Sequence, residues 1–299
     1  MTLSWYLLSL NQFSYCLSEG LHLFNPTLKL IFDDPTFSSL LLRTIAESYY
    51  KGADIGECLS TAYRIRESDF ESWYKEWTKT AKRIHRLSER CMSEGHLKSV
   101  NEAYMRASNY YRTAGFLLVE HDDPRFHTSI ENSKEYFRNA ISTFSFKVDS
   151  IEIPYEGTTL LGYYYYNEKQ NTEYQNMGNM GDAHQPGMEE RIGKFEVPNS
   201  NNYPTLIVHG GFDSLLEELY SYAADPAIER GYNCLTFEGP VQGEVIRKQK
   251  IPFRHDWEKV VTPVLDFIVS RSKKFNVDLK RVALMGISMW VFGCKGRCI

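Results

Sequence analysis

The sequence predicts two regions in series: an all-helical N-terminal part and a C-terminal α/β part built on a mainly parallel sheet. Three observations carry this. Up to about residue 145 apolar residues recur at helical spacing, with Val100, Tyr104, Ala107, Tyr111, Ala114 and Leu118 on one face. The period changes at Phe144, after which Phe146, Val148, Ile151 and Ile153 sit in β-rich sequence. Beyond residue 204, apolar runs alternate with helical segments, the pattern of a parallel sheet covered on both faces.

Each element has its own signal. Pro35 opens a periodic segment running to Lys51 and closed by Gly52, and a short helix follows from Asp54 to Arg66. A longer one spans Phe70 to Glu94 and stops at Gly95, the residue favoured just past a helix end. Ser99-Val-Asn-Glu102 has the form of a capping box, predicting a helix that starts there and runs to Leu118. Asp122-Asp-Pro124 breaks the chain, and a last helix covers Thr128 to Ser142. Pro154-Tyr-Glu-Gly157 then turns an antiparallel pair whose second strand is Leu160 to Tyr165. Asn167 to Tyr203 is polar and reads as a long loop. The alternating section consists of strands Thr205–Val208, Asn233–Phe237 and Val282–Met285, with helices Leu215–Arg230 and His255–Ser272 between them.

Composition narrows the function. The 299 residues carry a net charge of −4, so the basic face of a nucleic-acid binder is not expected. Six cysteines lack a pairing or metal-ligand rhythm; Cys294 and Cys298 form at most half a zinc site, so no metal or other cofactor is expected and the thiols read as reduced. The opening Met1–Leu8 lacks a basic n-region and a cleavage site, and no apolar run reaches membrane-spanning length. The expectation is a soluble, cytoplasmic protein. The 20 Tyr and 17 Phe suit a roomy pocket for flat or lipid-like substrates, but helix-to-helix packing accounts for most of them.

Two turns carry the chemistry. The final strand leads into Gly286-Ile-Ser288-Met-Trp290, four-fifths of the G-x-S-x-G turn that lifts a serine hydroxyl clear of a sheet. His209-Gly-Gly-Phe-Asp213 follows the Thr205–Val208 strand directly, where a Gly-Gly turn lets backbone N–H groups approach a carbonyl oxygen as it becomes an oxyanion. Either turn alone is a common strand end. Both together, in this order, point to a hydrolase.

Several blocks resemble those of α/β-hydrolases with helical N-terminal caps. They are Ala107-Ser-Asn-Tyr-Tyr-Arg-Thr-Ala-Gly-Phe-Leu-Leu118, His209-Gly-Gly-Phe-Asp-Ser214, Phe237-Glu-Gly-Pro-Val-Gln-Gly243, Arg254-His-Asp-Trp257 and Asp278 through Met289. The group includes 2,6-dihydroxypseudooxynicotine hydrolase, the fungal hydrolases that shorten polyketide pigment precursors, and the esterase-type hydrolases of host-selective toxin gene clusters. The resemblance implies a helical cap at residues 1–145 and an α/β-hydrolase sheet at 146–299, incomplete on its C-terminal side. It further implies Ser288 as nucleophile, with backbone N–H groups of Gly211, Phe212 and Met289 forming the oxyanion hole. The implied substrate is a small polyketide- or ester-type molecule, cleaved at an ester, thioester or β-keto carbon–carbon bond. Tyr110 and Tyr111 would line the pocket or, as the blander reading, pack between the domains. A homodimer is the assembly to consider, and a peroxisomal location is one the toxin-cluster resemblance brings.

The departures from the pattern are specific. In this fold the triad runs Ser, then Asp or Glu, then His, whereas residues 289–299 contain no acid and no histidine. All eight histidines precede Ser288; only His127 is a candidate stand-in, and His209 reads as support for its loop. Trp290 stands where the turn wants a second glycine, and Val241 where the group tends to have one. The α/β part is shorter than the roughly 200–250 residues such a domain needs. Two readings follow: a hydrolase of fungal secondary metabolism, or a truncated, catalytically inactive product of the same lineage. A peptidase with an N-terminal propeller is a third, and the helical pattern up to residue 145 argues against it.

Overall fold

The computed structural model describes residues 30–118, 123–166, 202–212 and 214–287. Among these, five helices precede the first strand: α1 (Pro35–Ile45), α2 (Ile55–Ala62), α3 (Phe70–Ser93), α4 (Leu97–Gly115) and α5 (Pro124–Ile141). Four begin on an aspartate whose carboxylate accepts first-turn N–H groups: Asp34, Asp54, Asp69 and Asp123. The apolar faces of α1 to α4 meet in a core of Phe37, Leu41, Trp73, Trp77, Ile84 and Tyr110.

Three helix boundaries differ from the sequence expectation, each for a local reason. Helix α4 starts at Leu97, not Ser99, and its N-cap His96 makes no side-chain cap bond. Gly95 is left-handed (φ 76°) and His96 N–H reaches Cys91 O at 2.9 Å, so the closing turn of α3 feeds straight into α4. Ser99 is already helical there and cannot act as a cap. Asp123-Pro124 starts α5 instead of breaking the chain, because proline's missing N–H costs nothing at the first helical position. After α1 the chain tightens into a 3₁₀ turn, Ala46–Tyr50, and the left-handed residue is Lys51 (φ 65°), one before Gly52.

The sheet has five strands: β1 (Lys147–Tyr155), β2 (Thr158–Tyr166), β3 (Tyr203–His209), β4 (Asn233–Phe237) and β5 (Val277–Gly286). Their order is β1-β2-β4-β3-β5. The β1–β2 and β2–β4 pairs are antiparallel, while β3 runs parallel to both β4 and β5. Pro154, expected in the turn, lies within edge strand β1 opposite Thr159, where a missing N–H is tolerated. The turn is the pair Glu156-Gly157, both at positive φ, the form that suits a twisted hairpin.

Helices cover both faces. Helix α6 (Leu216–Leu219) passes through a π turn, Tyr220–Ala224, into α7 (Asp225–Glu229), replacing the single helix expected there. Pro226 cannot donate, and Asp225 N–H reaches back five residues to Tyr220 O. Helix α8 (Gly243–Lys248), too short to show a period, follows β4, and α9 (Glu258–Ser270) precedes β5. Tyr164, Ile207, Leu235 and Phe237 face α9 through Val260, Val264 and Phe267. Tyr163, Tyr165, Val208 and Cys234 face the other way, meeting Leu219, Tyr220 and Ala224 together with Met105 of α4 and Phe137 of α5. The helical region therefore packs directly on one face of the sheet. Among the described residues no helix is long and apolar enough to cross a membrane.

Candidate active site

Strands β3 and β5 are paired in register from Thr205↔Val282 to His209↔Gly286, and Ile287 N–H donates to His209 O at 3.2 Å. The strand ends that precede the two sequence motifs thus lie side by side at the same level. Ser288 and Met289 lie outside the described residues, as does Asp213. Gly211 is buried and Phe212 is 53% exposed, and both follow closely on His209, the residue paired with Gly286.

The Gly210–Gly211 turn is held by polar contacts on its inner side. Gly210 O accepts from Gln242 Nε2, and Gly239 N–H donates to Gln242 Oε1 at 2.8 Å, so both ends of that amide are committed. Gly210 O also faces His209 Nδ1 at 3.2 Å. Trp257 Nε1–H donates to His209 Nε2 at 3.2 Å; an indole can only donate, so the imidazole proton sits on Nδ1. Complete burial holds the His209 pKa down to about 4. His209 is thus a neutral structural group. Trp257, from the Arg-His-Asp-Trp block, is what orients it.

Ser214 N–H donates to Gly211 O at 3.3 Å, and a Cβ on Gly210 would run into the Ser214 side chain. One strand over, the Glu238 carboxylate accepts Leu216 N–H at 3.1 Å and Glu244 N–H at 2.8 Å, capping α6 and α8 together. Burial, with Glu217 nearby, pushes its pKa up to about 8. Gly243 (φ 37°) sits against this carboxylate, where any Cβ would overlap it. In the same turn Val241 is at φ 67°, a costly conformation for a β-branched residue, so its departure from glycine has a backbone consequence.

Behind the turn lies a buried ion cluster joining the helical region to α6. Arg43 forks onto Glu218, with Nε 2.9 Å from Oε2. Arg112 Nη1 stands 3.2 Å from Glu218 Oε2, and its Nη2 lies 2.9 Å from Glu47 Oε1. Burial raises both carboxyls, but Arg43 and Arg112 outweigh it at Glu218 and hold that group at about 2. At Glu47 burial prevails over Arg112, with Glu218 adding to it, and the pKa rises to about 8. Two further ion pairs cross between α5 and α8: Lys134 with Glu244, and Lys248 with Glu131 at 2.9 Å. Beside them Arg247 lies over the Phe126 ring at 3.8 Å, in a small cleft also lined by Phe116, Ile130 and Leu215.

The remaining candidates fall elsewhere. His127 is exposed in the first turn of α5, and His255 is exposed in the bend before α9 rather than opening it. Tyr110 is buried inside the helical region, donating to Glu57 Oε2 at 2.8 Å, and Tyr111 stacks on Tyr136 at 5.3 Å. Among the described residues both tyrosines pack in the core of that region rather than between the helices and the sheet. Cys58, Cys91 and Cys234 are free buried thiols. Gln242, Glu238, Trp257, Arg112 and Glu218 were not singled out in advance. All five lie in or next to the quoted sequence blocks, which was the available signal.

The fold and the paired strand ends are those of an α/β-hydrolase with a helical N-terminal region. Within that class the chain is similar to several fungal hydrolases. It is 36% identical to hydrolase acrC of Aspergillus aculeatus over 83% of this chain and 55% of that protein. It is 34% identical to the 20-hydroxy-prefusarin hydrolase of Gibberella moniliformis over 87% of this chain and 56% of that protein. Its likeness to α/β-hydrolase psoB of Aspergillus fumigatus is 35% over 88% and 55% respectively. The solved 2,6-dihydroxy-pseudo-oxynicotine hydrolase superposes with a TM-score of 0.57 at 21% identity, covering 81% of this chain and 57% of that one. No protein-family model matches the chain. The chain spans about half the length of the curated relatives it matches.

Proposed function

We propose that these residues supply the nucleophile and oxyanion hole of a serine hydrolase of fungal secondary metabolism, acting on a small polyketide- or ester-type substrate. The bond cleaved is an ester, a thioester or a β-keto carbon–carbon bond. Ser288 Oγ attacks the carbonyl, and N–H groups of Gly211, Phe212 and Met289 take up the charge on its oxygen. Residues 1–145 act as the cap and 146–299 as the hydrolase part. The observation that supports this most is the His209↔Gly286 register, which sets the Gly-Gly turn beside the strand end leading to Ser288. In this reading the protein is a cytoplasmic homodimer, with the peroxisome as the alternative location; light scattering and imaging of a tagged protein address these points.

A second reading, a non-catalytic member of the group, is favoured by Trp290, which stands where the nucleophile turn wants its second glycine. A serine without a base is a poor nucleophile, and residues 289–299 hold neither acid nor histidine, so activity needs those groups from outside that segment. The test assays a short-chain nitrophenyl ester and a fluorophosphonate label on the 299 residues and on a chain continued to the relatives' length, each beside Ser288→Ala. We expect near-background turnover from the 299 residues and Ser288-dependent turnover from the longer chain. Inactivity of both favours the non-catalytic reading. Robust Ser288-dependent turnover by the 299 residues alone overturns the requirement for a later histidine.

A further inference from the structure

We propose that Arg43 and Arg112, although they belong to the helical region, are positioning residues for the oxyanion turn, acting through Glu218 and Ser214. The inference rests on the serine-hydrolase reading above.

The argument runs outward from the turn. In a trans peptide the C=O and N–H point in opposite directions, so whatever holds one aims the other. Gly210 O is turned toward Gln242 and His209, and Gly211 O accepts Ser214 N–H at 3.3 Å. The N–H groups of Gly211 and Phe212 accordingly face away from those contacts. Ser214 is central because its side chain fills the space against the Cα of Gly210, so its rotamer and the Gly210 backbone move as one unit. That rotamer is set by Glu218: Ser214 Oγ–H donates to Glu218 Oε1 at 2.6 Å, and Leu215 N–H donates to the same oxygen at 3.2 Å.

Glu218 in turn is fixed from the helical region. The Arg43 fork engages both its oxygens, and a planar guanidinium facing a carboxylate in this way stops the carboxylate rotating. Arg112 approaches the second oxygen and is itself anchored by Asn109 Oδ1 at 2.6 Å and by Glu47. Ser214, Glu218 and Arg112 are buried, and Arg43 is partly so. Seating of the helical region on the sheet and aim of the oxyanion N–H groups are therefore one linked variable. A displacement of order 1 Å at such a site costs roughly a hundredfold in rate.

The Lys248–Glu131 ion pair joins the helical region to α8 without touching the turn, which makes Lys248→Ala the control. The test measures amide hydrogen exchange on the 299-residue chain for Ser214→Ala, Arg112→Lys and Lys248→Ala. Ser214→Ala removes only a hydroxyl and keeps the variant set informative if Arg112→Lys folds poorly. We expect exchange at Ser214 and Leu215 to quicken about tenfold or more in the first two variants, with β4 unchanged, and no change at these amides in the control. In the chain continued to the relatives' length, turnover per fluorophosphonate-labelled site should fall about tenfold with KM unchanged. A merely structural role would reduce the number of labelled sites and leave turnover per site intact. Unchanged exchange in Ser214→Ala overturns the proposal, and so does unchanged turnover per site. If Ser288 never labels in any form, the hydrolase reading fails, while the exchange data still decide whether the turn is held from the helical region.

Discussion

Trp257 and His209 form a buried donor–acceptor pair: the indole N–H reaches the imidazole Nε2 at 3.2 Å and so fixes which nitrogen carries the proton. Trp257→Phe removes that donor while keeping most of the aromatic packing. We expect a loss of about 1–3 kcal/mol, read as a lower urea midpoint at unchanged slope.

The same histidine sets a limit on the acid side. Its pKa is about 4 when folded against an ordinary 6.5, so its contribution is fully present above about 6.5 and is lost as pH falls toward 4. His209→Gln should reduce the steepness of acid unfolding in that window, as followed by circular dichroism. An unchanged acid limb would show that His209 is not the group responsible.

Glu47 acts on the opposite side. Its folded pKa of about 8 lies above the ordinary carboxylate value of 4.5, so its contribution is complete below about 4.5 and is lost as pH rises through 8. One such proton sets a slope of at most about 1.4 kcal/mol per pH unit. Glu238 shares the window, so Glu47→Gln should lessen the decline in urea stability between pH 4.5 and 8 without abolishing it.

Gly243→Ala puts a Cβ into the Glu238 carboxylate at a left-handed position. The carboxylate would have to leave the helix ends it caps, so we expect a loss of roughly 2–4 kcal/mol. A thermal midpoint within 2 °C of the parent, to order of magnitude, would contradict the described packing.

Gln242→Ala takes away the side-chain donor to Gly210 O and the acceptor for Gly239 N–H. Both are buried, so about 1–3 kcal/mol per unmade bond is at stake. Gln242→Glu keeps the acceptor for Gly239 and loses the donor to Gly210. At neutral pH it buries a carboxylate against Gly210 O, so it should be at least as destabilising as Gln242→Ala and leave the turn amides equally unprotected.

What the sequence made legible was whatever is written locally. Apolar runs such as Leu206–Val208 give a buried strand whichever face each side chain takes, so the parallel strands were readable. The antiparallel pair before them was readable for a similar reason, since β-rich residues resume on either side of Glu156-Gly157. Helix ends were harder, because Asp-Pro carries two meanings, a break and a start, and only the backbone beyond decides between them. Least readable were the polar pairings. Arg112 sits among apolar neighbours on α4, and nothing near it names Glu218 on a distant helix as its partner. Gln242 reads as an ordinary loop residue until β3 and β4 are placed side by side. Such contacts depend on the assembled fold, and no short window of residues contains both partners.

The strand pair that carries the two turns is regular at one end and irregular at the other. From Thr205↔Val282 onward each step matches, whereas between Tyr203↔Val277 and Thr205↔Val282 the β5 side carries extra residues, with Asp278 bonded to Lys280 N–H and Arg281. Length changes upstream of Val282 can be taken up in that irregular stretch. A deletion between Val282 and Gly286 would instead draw the strand end back by about 3.3 Å and reverse every side chain's face. A library of single-residue insertions along β5 should therefore divide sharply at Val282 into folded and unfolded members.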